Sequence, residues 1–228
     1  MAKLKEKAET VLKSAPSKKG EIDLSKIDVA LLNLKKTIGD DSIVSINEIR
    51  DYNRIPSRSP VIGYVFGGGG TPNPVIIELY GPESAGKTLV AENILADFQR
   101  EGSFVGFIDA EFSFNSKYAA IQGLDCSPEK FALIQPNSGE DAFAAAEALA
   151  GSGQVRAIAI DSVAALVPQA ELNGEYSDAQ MGAQARMMGH GLRKLWGIAA
   201  KNNCTLIFLN QIRMKIGCIG PDTLLDIV

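Results

Sequence analysis

The chain has 228 residues, enough for one α/β domain with a sizeable core and a short appended segment. Its net charge of −4 excludes an overall attraction to nucleic acid, so any contact with a polyanion needs a local basic surface. Three cysteines without CxxC spacing and a single histidine, His190, exclude a disulfide framework, a zinc cluster and histidine metal chemistry; this usage fits a reducing, cytoplasmic setting. No apolar run is long enough to span a bilayer and no secretory signal opens the chain, so no membrane partner is expected.

Residues 1–25 are polar, mix lysines with Glu6 and Glu9, and read as a flexible extension. From Val29 to Ile38 apolar residues recur at helical spacing, and Gly39 ends the run. So short an amphipathic helix is not stable alone and must pack on its own core or on a neighbouring subunit. Arg54 to Pro74 is rich in Pro, Ser and Gly, with four consecutive glycines at Gly67–Gly70, and reads as a connector. Apolar strands then follow at Val75–Tyr80, Phe104–Ile108, Ala157–Ile160 and Thr205–Leu209. Helical patterns alternate with them at Lys87–Arg100, Glu140–Ala150 and Ala179–Asn202. Continuous apolar strands alternating with helices predict an α/β fold, a mostly parallel sheet covered on both faces. Ligands of such sheets sit at the carboxyl ends of the strands. Here those ends are Gly81, Asp109, Asp161 and Asn210.

Gly81-Pro82-Glu83-Ser84-Ala85-Gly86-Lys87-Thr88 matches the phosphate-loop pattern GxxxxGK[ST] in full, after a strand and before a helix as the pattern requires. Its glycines let backbone N–H groups curl around phosphate oxygens, and the helix N-terminus adds partial positive charge. Lys87 is placed to reach the β- and γ-phosphates of ATP, and the Thr88 hydroxyl to ligate Mg²⁺. Asp161, ending a buried strand, is the expected Mg²⁺-supporting acid. Asp109 and Glu111 end the neighbouring strand; Glu111 has the longer reach and is the better general base, while a structural hydrogen-bonding role suits Asp109. Gln211 is either a strand-end amide or a sensor that bonds the γ-phosphate and moves when it leaves; spacing does not decide.

The segments IIELYGPESAGKT, GFIDAEF, AIDSVAALVPQAELNGE, QARMMGHGLRKLWG and LIFLNQIRMKIG together resemble the bacterial RecA recombinase family, over roughly Leu31 to Gly217. The resemblance implies a RecA-like P-loop NTPase core at 56–217, preceded by an oligomerisation segment at 26–55 that packs on the adjacent protomer. A head-to-tail contact of that kind builds an open helical filament. It also implies an ATP-dependent protein that polymerises on single-stranded DNA and pairs it with a homologous duplex. By matching position, Glu111 resembles the water-activating carboxylate and Asp161 the Mg²⁺-supporting acid. Gln211 resembles the residue that reports the γ-phosphate, and Tyr118 the tyrosine that stacks on adenine. Met181, Gly182, Arg186 and Arg193 match DNA-facing positions, and Arg213 begins a second DNA loop. Arg186 and Arg193 are seven apart, on one helix face, where they neutralise phosphates.

Asn115 stands where the family has an aspartate near the adenine, and the connector Pro56–Pro74 departs from the family pattern. The motif resemblance ends at Gly217. Residues 218–228, CIGPDTLLDIV, resemble the opening of an intein, in which a Cys218 thiolate would attack the Gly217 carbonyl. Eleven residues cannot form an intein fold, so Cys218 is expected to be inert in this chain alone. Three readings follow: a DNA-dependent ATPase of the recombinase type, an ATP-regulated filament scaffold in which hydrolysis only drives release, or an inactive fragment of an intein-interrupted recombinase.

Overall fold

The computed structural model describes residues 24–38, 53–174 and 182–211, with the backbone alone of 213–214 and 221–222. The chain forms two compact units, Met1–Asp51 and Tyr52–Val228. In the first, helix α1 spans Leu24–Ile38, starting earlier than the expected Val29. The reason is visible in the spacing: Leu24, Ile27, Leu31 and Leu34 continue one apolar stripe at intervals of three and four. All four are exposed.

The second unit opens with β1 (Asn53–Ile55), α2 (Pro60–Val65) and β2 (Thr71–Asn73), with β1 and β2 paired antiparallel. The expected connector is therefore an ordered hairpin. Arg54 Nη1 closes it by donating to the carbonyls of Phe66 (2.8 Å) and Gly70 (3.2 Å). Gly70, at φ +105°, leaves no room for a side chain: an added Cβ would lie 2.0 Å from the Ile55 carbonyl oxygen. Glycine and proline marked the breaks in the sequence but hid this pairing.

Five parallel strands make the main sheet: β3 (Ile76–Gly81), β4 (Phe104–Asp109), β5 (Phe131–Ile134), β6 (Val155–Asp161) and β7 (Thr205–Gln211). Their order is β3-β7-β6-β4-β5. Strand β5 is an addition to the four expected. It is four residues long, lies at an edge and leaves Leu133 exposed, so its apolar signal is weak. Helices α3 (Lys87–Arg100) and α4 (Ser116–Ile121), then α5 (Gly139–Gly151), α6 (Gln169–Leu172) and α7 (Ala183–Lys201) complete the fold. Helix α4 was not anticipated; it is six residues long and held by its cap, Asn115, whose Oδ1 accepts from the amides of Lys117 and Tyr118. Helix α7 begins at Ala183 rather than Ala179, because Gly182 at φ +79° is its N-cap; 179–181 lie outside the described residues.

Strand alternation divides the core in two. Leu206 and Phe208 of β7 pack with Phe143, Met188, Leu192 and Leu195 of α5 and α7, while Ile207 and Leu209 pack with Ile94, Leu95 and Phe98 of α3. This is the α/β architecture expected, a sheet covered on both faces. Helices α5 and α7 approach closely at Gly191, where an added Cβ would stand 2.8 Å from the Phe143 ring. Gly191→Ala is expected to lower stability by about 1–3 kcal/mol through overpacking, read as an earlier urea midpoint with an unchanged slope.

Candidate functional site

Because all five strands are parallel, their carboxyl ends share one edge of the sheet. Register places Gly81 opposite Gln211 and Asp109 opposite Asp161. The loop from Gly81 to Thr88 leaves β3 at this edge and turns into α3. Gly86 sits at φ +86°, a conformation that admits glycine readily, and the helix starts at the next residue. Pro82, Glu83, Ser84 and Ala85 are exposed. A cavity of about 230 Å³ is lined by Ser84, Ala85, Gly86, Lys87, Thr88, Leu89 and Tyr118. The sequence-expected loop and Tyr118 therefore meet in one pocket, with the N-terminus of α3 at its base.

Lys87 Nζ donates to the carbonyls of Gly81 (3.1 Å) and Pro82 (2.8 Å), which keeps the ammonium over the loop. Thr88 Oγ1 donates to Asp161 Oδ2 at 2.8 Å, joining the helix to the end of β6. Burial pushes the Asp161 carboxyl above its usual range; the Thr88 hydrogen bond opposes this, and the charges of Glu111 and Asp109 add to it. Two oxygen donors beside a surplus of carboxylates suit a hard divalent cation such as Mg²⁺. Among the described residues no group of three or more His, Cys, Asp or Glu side chains forms a ready-made metal cage.

Glu111 lies just past β4 and is exposed. Its Oε1 accepts from Gln211 Nε2 at 3.1 Å and from the Ser162 hydroxyl. Two of the expected residues, Glu111 and Gln211, are thus in direct contact. Asp109 is fully buried and accepts from the amides of Ser113 and Phe114 (3.1 Å each) and from Gln135 Nε2 (3.0 Å). All of this is the structural role, and it shapes the turn that displays Glu111. Asn115, marked as a departure near the adenine, caps the helix that carries Tyr118.

On α7 the exposed Arg186 and Arg193 stand behind the Gly182 cap, and Arg193 Nε donates to the Gly189 carbonyl at 2.8 Å. Arg186, His190 and Lys194 line a groove of about 570 Å³ whose other wall includes Glu140 and Glu147. Lys194 pairs with Glu147 at 2.6 Å. Arg213 is described by its backbone in β8 (Arg213–Met214), which pairs antiparallel with β9 (Pro221–Asp222). Met181, Gly217 and Cys218 lie outside the described residues.

Sequence reasoning missed Ser162 and Glu92. Ser162 was hidden because a serine after a strand-end acid has no pattern of its own. Glu92 was detectable: it is one turn past Thr88, next to Ala91 on the apolar side of the predicted helix. It is 1% exposed, and among the described residues its Oε2 has no hydrogen-bond partner.

A parallel α/β sheet with a phosphate loop leading into a helix, and an acid on a central strand bonded to the loop threonine, defines the P-loop NTPase class. Within that class the chain belongs to the RecA family: the family model described as RecA N-terminal domain matches residues 25–224. This match runs past Gly217, over most of the stretch that resembles an intein opening. Protein RecA of Campylobacter lari is 44% identical over 199 residues, covering 86% of this chain and 57% of the relative. Protein RecA of Chloroherpeton thalassium is 43% identical over 204 residues, covering 88% and 57%. Protein RecA of Geobacter sulfurreducens is 44% identical over 202 residues, covering 86% and 59%. The chain thus spans less than three-fifths of the length of these relatives. No helix among the described residues is long and apolar enough to cross a membrane.

Burial, and secondarily the Asp161 charge, raises the Glu92 carboxyl from 4.5 to about 7. Between those two values the folded state therefore binds the proton more than the unfolded state does. Stability should be greatest below the unfolded value and fall as pH rises toward 7, by about 1.4 kcal/mol per pH unit at most. Denaturation midpoints of the parent chain and Glu92→Gln between pH 5 and 8 check this. The parent should lose stability across that window, and the variant should lose much less.

Proposed function

We propose that this chain carries the nucleotide-binding core of an ATP-dependent recombinase that binds single-stranded DNA, assembles head to tail into a helical filament, and pairs the strand with homologous duplex. The observation that carries this reading is the convergence at one sheet edge of Lys87, the Thr88–Asp161 hydrogen bond and the Glu111–Gln211 contact. Family membership supports this class of reaction. The loop amides from Gly81 to Gly86 and Lys87 bind the phosphates, and Tyr118 covers the adenine. Thr88 and Asp161 hold Mg²⁺, which when bound offsets phosphate charge. Glu111 accepts a proton from the attacking water. Gln211 exchanges its bond to Glu111 for one to the terminal phosphate, tying the nucleotide to the chain that follows β7.

DNA engages the α7 side through Arg186 and Arg193, with Met181, Gly182 and Arg213 at the flanking loops. Both exposed guanidinium groups supply the local positive surface that a chain of net charge −4 requires. The apolar stripe of α1 packs on the next protomer. The second reading, a scaffold in which hydrolysis only releases the filament, uses the same contacts and differs in what stops when turnover stops.

Lys87→Ala should weaken ATP binding about 10- to 100-fold, the loss of charge-assisted bonds to phosphate. Glu111→Gln should leave binding within about twofold and lower turnover on the order of 10²- to 10⁴-fold. Calorimetry and steady-state phosphate release separate the two; unchanged turnover in both variants rejects the ATPase. Strand pairing by Glu111→Gln, or with a non-hydrolysable ATP analogue, would favour the scaffold. Arg186→Ala and Arg193→Ala should each reduce the slope of log affinity for single-stranded DNA against log salt by about 0.7. An unchanged slope in both would remove α7 from the DNA surface.

A further inference from the structure

Glu111 must be held if it is to act as a base, because its side chain has three rotatable bonds and lies exposed on a turn. Two donors do so, one at the end of β7 and one just past the end of β6, and both reach the same oxygen. Gln211 Nε2, at the end of β7, donates to Oε1 at 3.1 Å, and the Ser162 hydroxyl donates to Oε1 as well. Oε2 receives no such bond from a described residue. The two donors differ in freedom. Gln211 is half-buried, and its amide sits at the end of a long side chain. Ser162 is 1% exposed with a single side-chain rotor. Its backbone is fixed on both sides: Asp161 precedes it in β6, and its own carbonyl accepts from Ala165 N at 3.0 Å in the 3₁₀ turn Val163–Ala165.

We propose that Ser162 is a positioning residue for the hydrolytic water. Its hydroxyl pins Oε1 of Glu111 so that Oε2 faces the reaction, and the pin persists when Gln211 turns to the phosphate. This rests on the reading of Glu111 as the base and adds the residue that aims it. It also gives consecutive residues divided tasks: Asp161 accepts from Thr88 on the cation side, and Ser162 donates to Glu111 on the water side. A hydroxyl carries one proton, so donating it to Glu111 commits the side chain to that contact.

Steady-state ATP turnover of the protein in its full-length form, with single-stranded DNA present, tests this. Ser162→Ala should lower kcat roughly 10- to 100-fold with KM for ATP within about twofold, since aiming matters only in the reacting complex. Ser162→Thr, which keeps the hydroxyl, should recover at least half of that loss on a logarithmic scale. In a Glu111→Gln background, Ser162→Ala should add less than about twofold, because the serine acts through the carboxylate. Thermal melting and binding of a non-hydrolysable ATP analogue by the same variants report folding. Ser162→Ala with parental kcat, or with an undiminished effect in the Glu111→Gln background, overturns the proposal. A parallel fall in melting temperature and analogue binding, unrescued by Thr, also overturns it, because Ser162 would then act through stability. If instead Glu111→Gln alone turns over normally, the reading of Glu111 as the base fails first.

Discussion

The parallel register of β3, β7, β6 and β4 is the constraint on which the site depends. It aligns Gly81 with Gln211 and Asp109 with Asp161, so four chain segments distant in sequence present their ends side by side. The register is held by the two-sided core. A one-residue slip of β7 would exchange Leu206 and Phe208 with Ile207 and Leu209 between the two helical layers. It would also move Gln211 away from Glu111. Packing far from the edge therefore fixes chemistry at the edge.

Charge organisation follows from the same alignment. Asp109, Glu111 and Asp161 lie close enough for their charges to raise the Asp161 carboxyl. Three different devices offset that crowding. Asp109 is satisfied by two backbone amides and Gln135, Asp161 by Thr88, and Glu111 by Ser162 and Gln211. Glu92 has no such device at Oε2 among the described residues, and burial raises its carboxyl to about 7. Crowded carboxyls in one region are thus accommodated by distinct routes, by hydrogen-bond partners or by a raised affinity for the proton.

Much of this was legible in the chain. The phosphate loop was readable because glycines, lysine and threonine have each one job there and the flanking strand and helix are strongly periodic. Asp161 and Glu111 were readable because strand ends in a parallel sheet face the ligand edge. What was not legible lacked a period or a pattern. Strand β5 is four residues at an edge, α4 is six residues with a cap, and the hairpin of β1 and β2 is closed by Arg54 across a loop of glycines. Contacts such as Ser162 to Glu111 join residues 51 apart in sequence and arise only once β4 and β6 are neighbours.

The pairing of Gly81 with Gln211 has a consequence for time as well as place. Neighbouring strands stand about 4.8 Å apart, so a phosphate in the loop lies within a side chain's reach of that glutamine. An amide can swap partners over such a distance by turning about its own bonds, on the picosecond-to-nanosecond scale, with no movement of strands or helices. In the role proposed for Gln211, a change at the phosphate would therefore leave the loop almost at once. A slow step in the proposed cycle would then belong to bond breaking, product departure or the assembly of chains, and not to the reading of the phosphate.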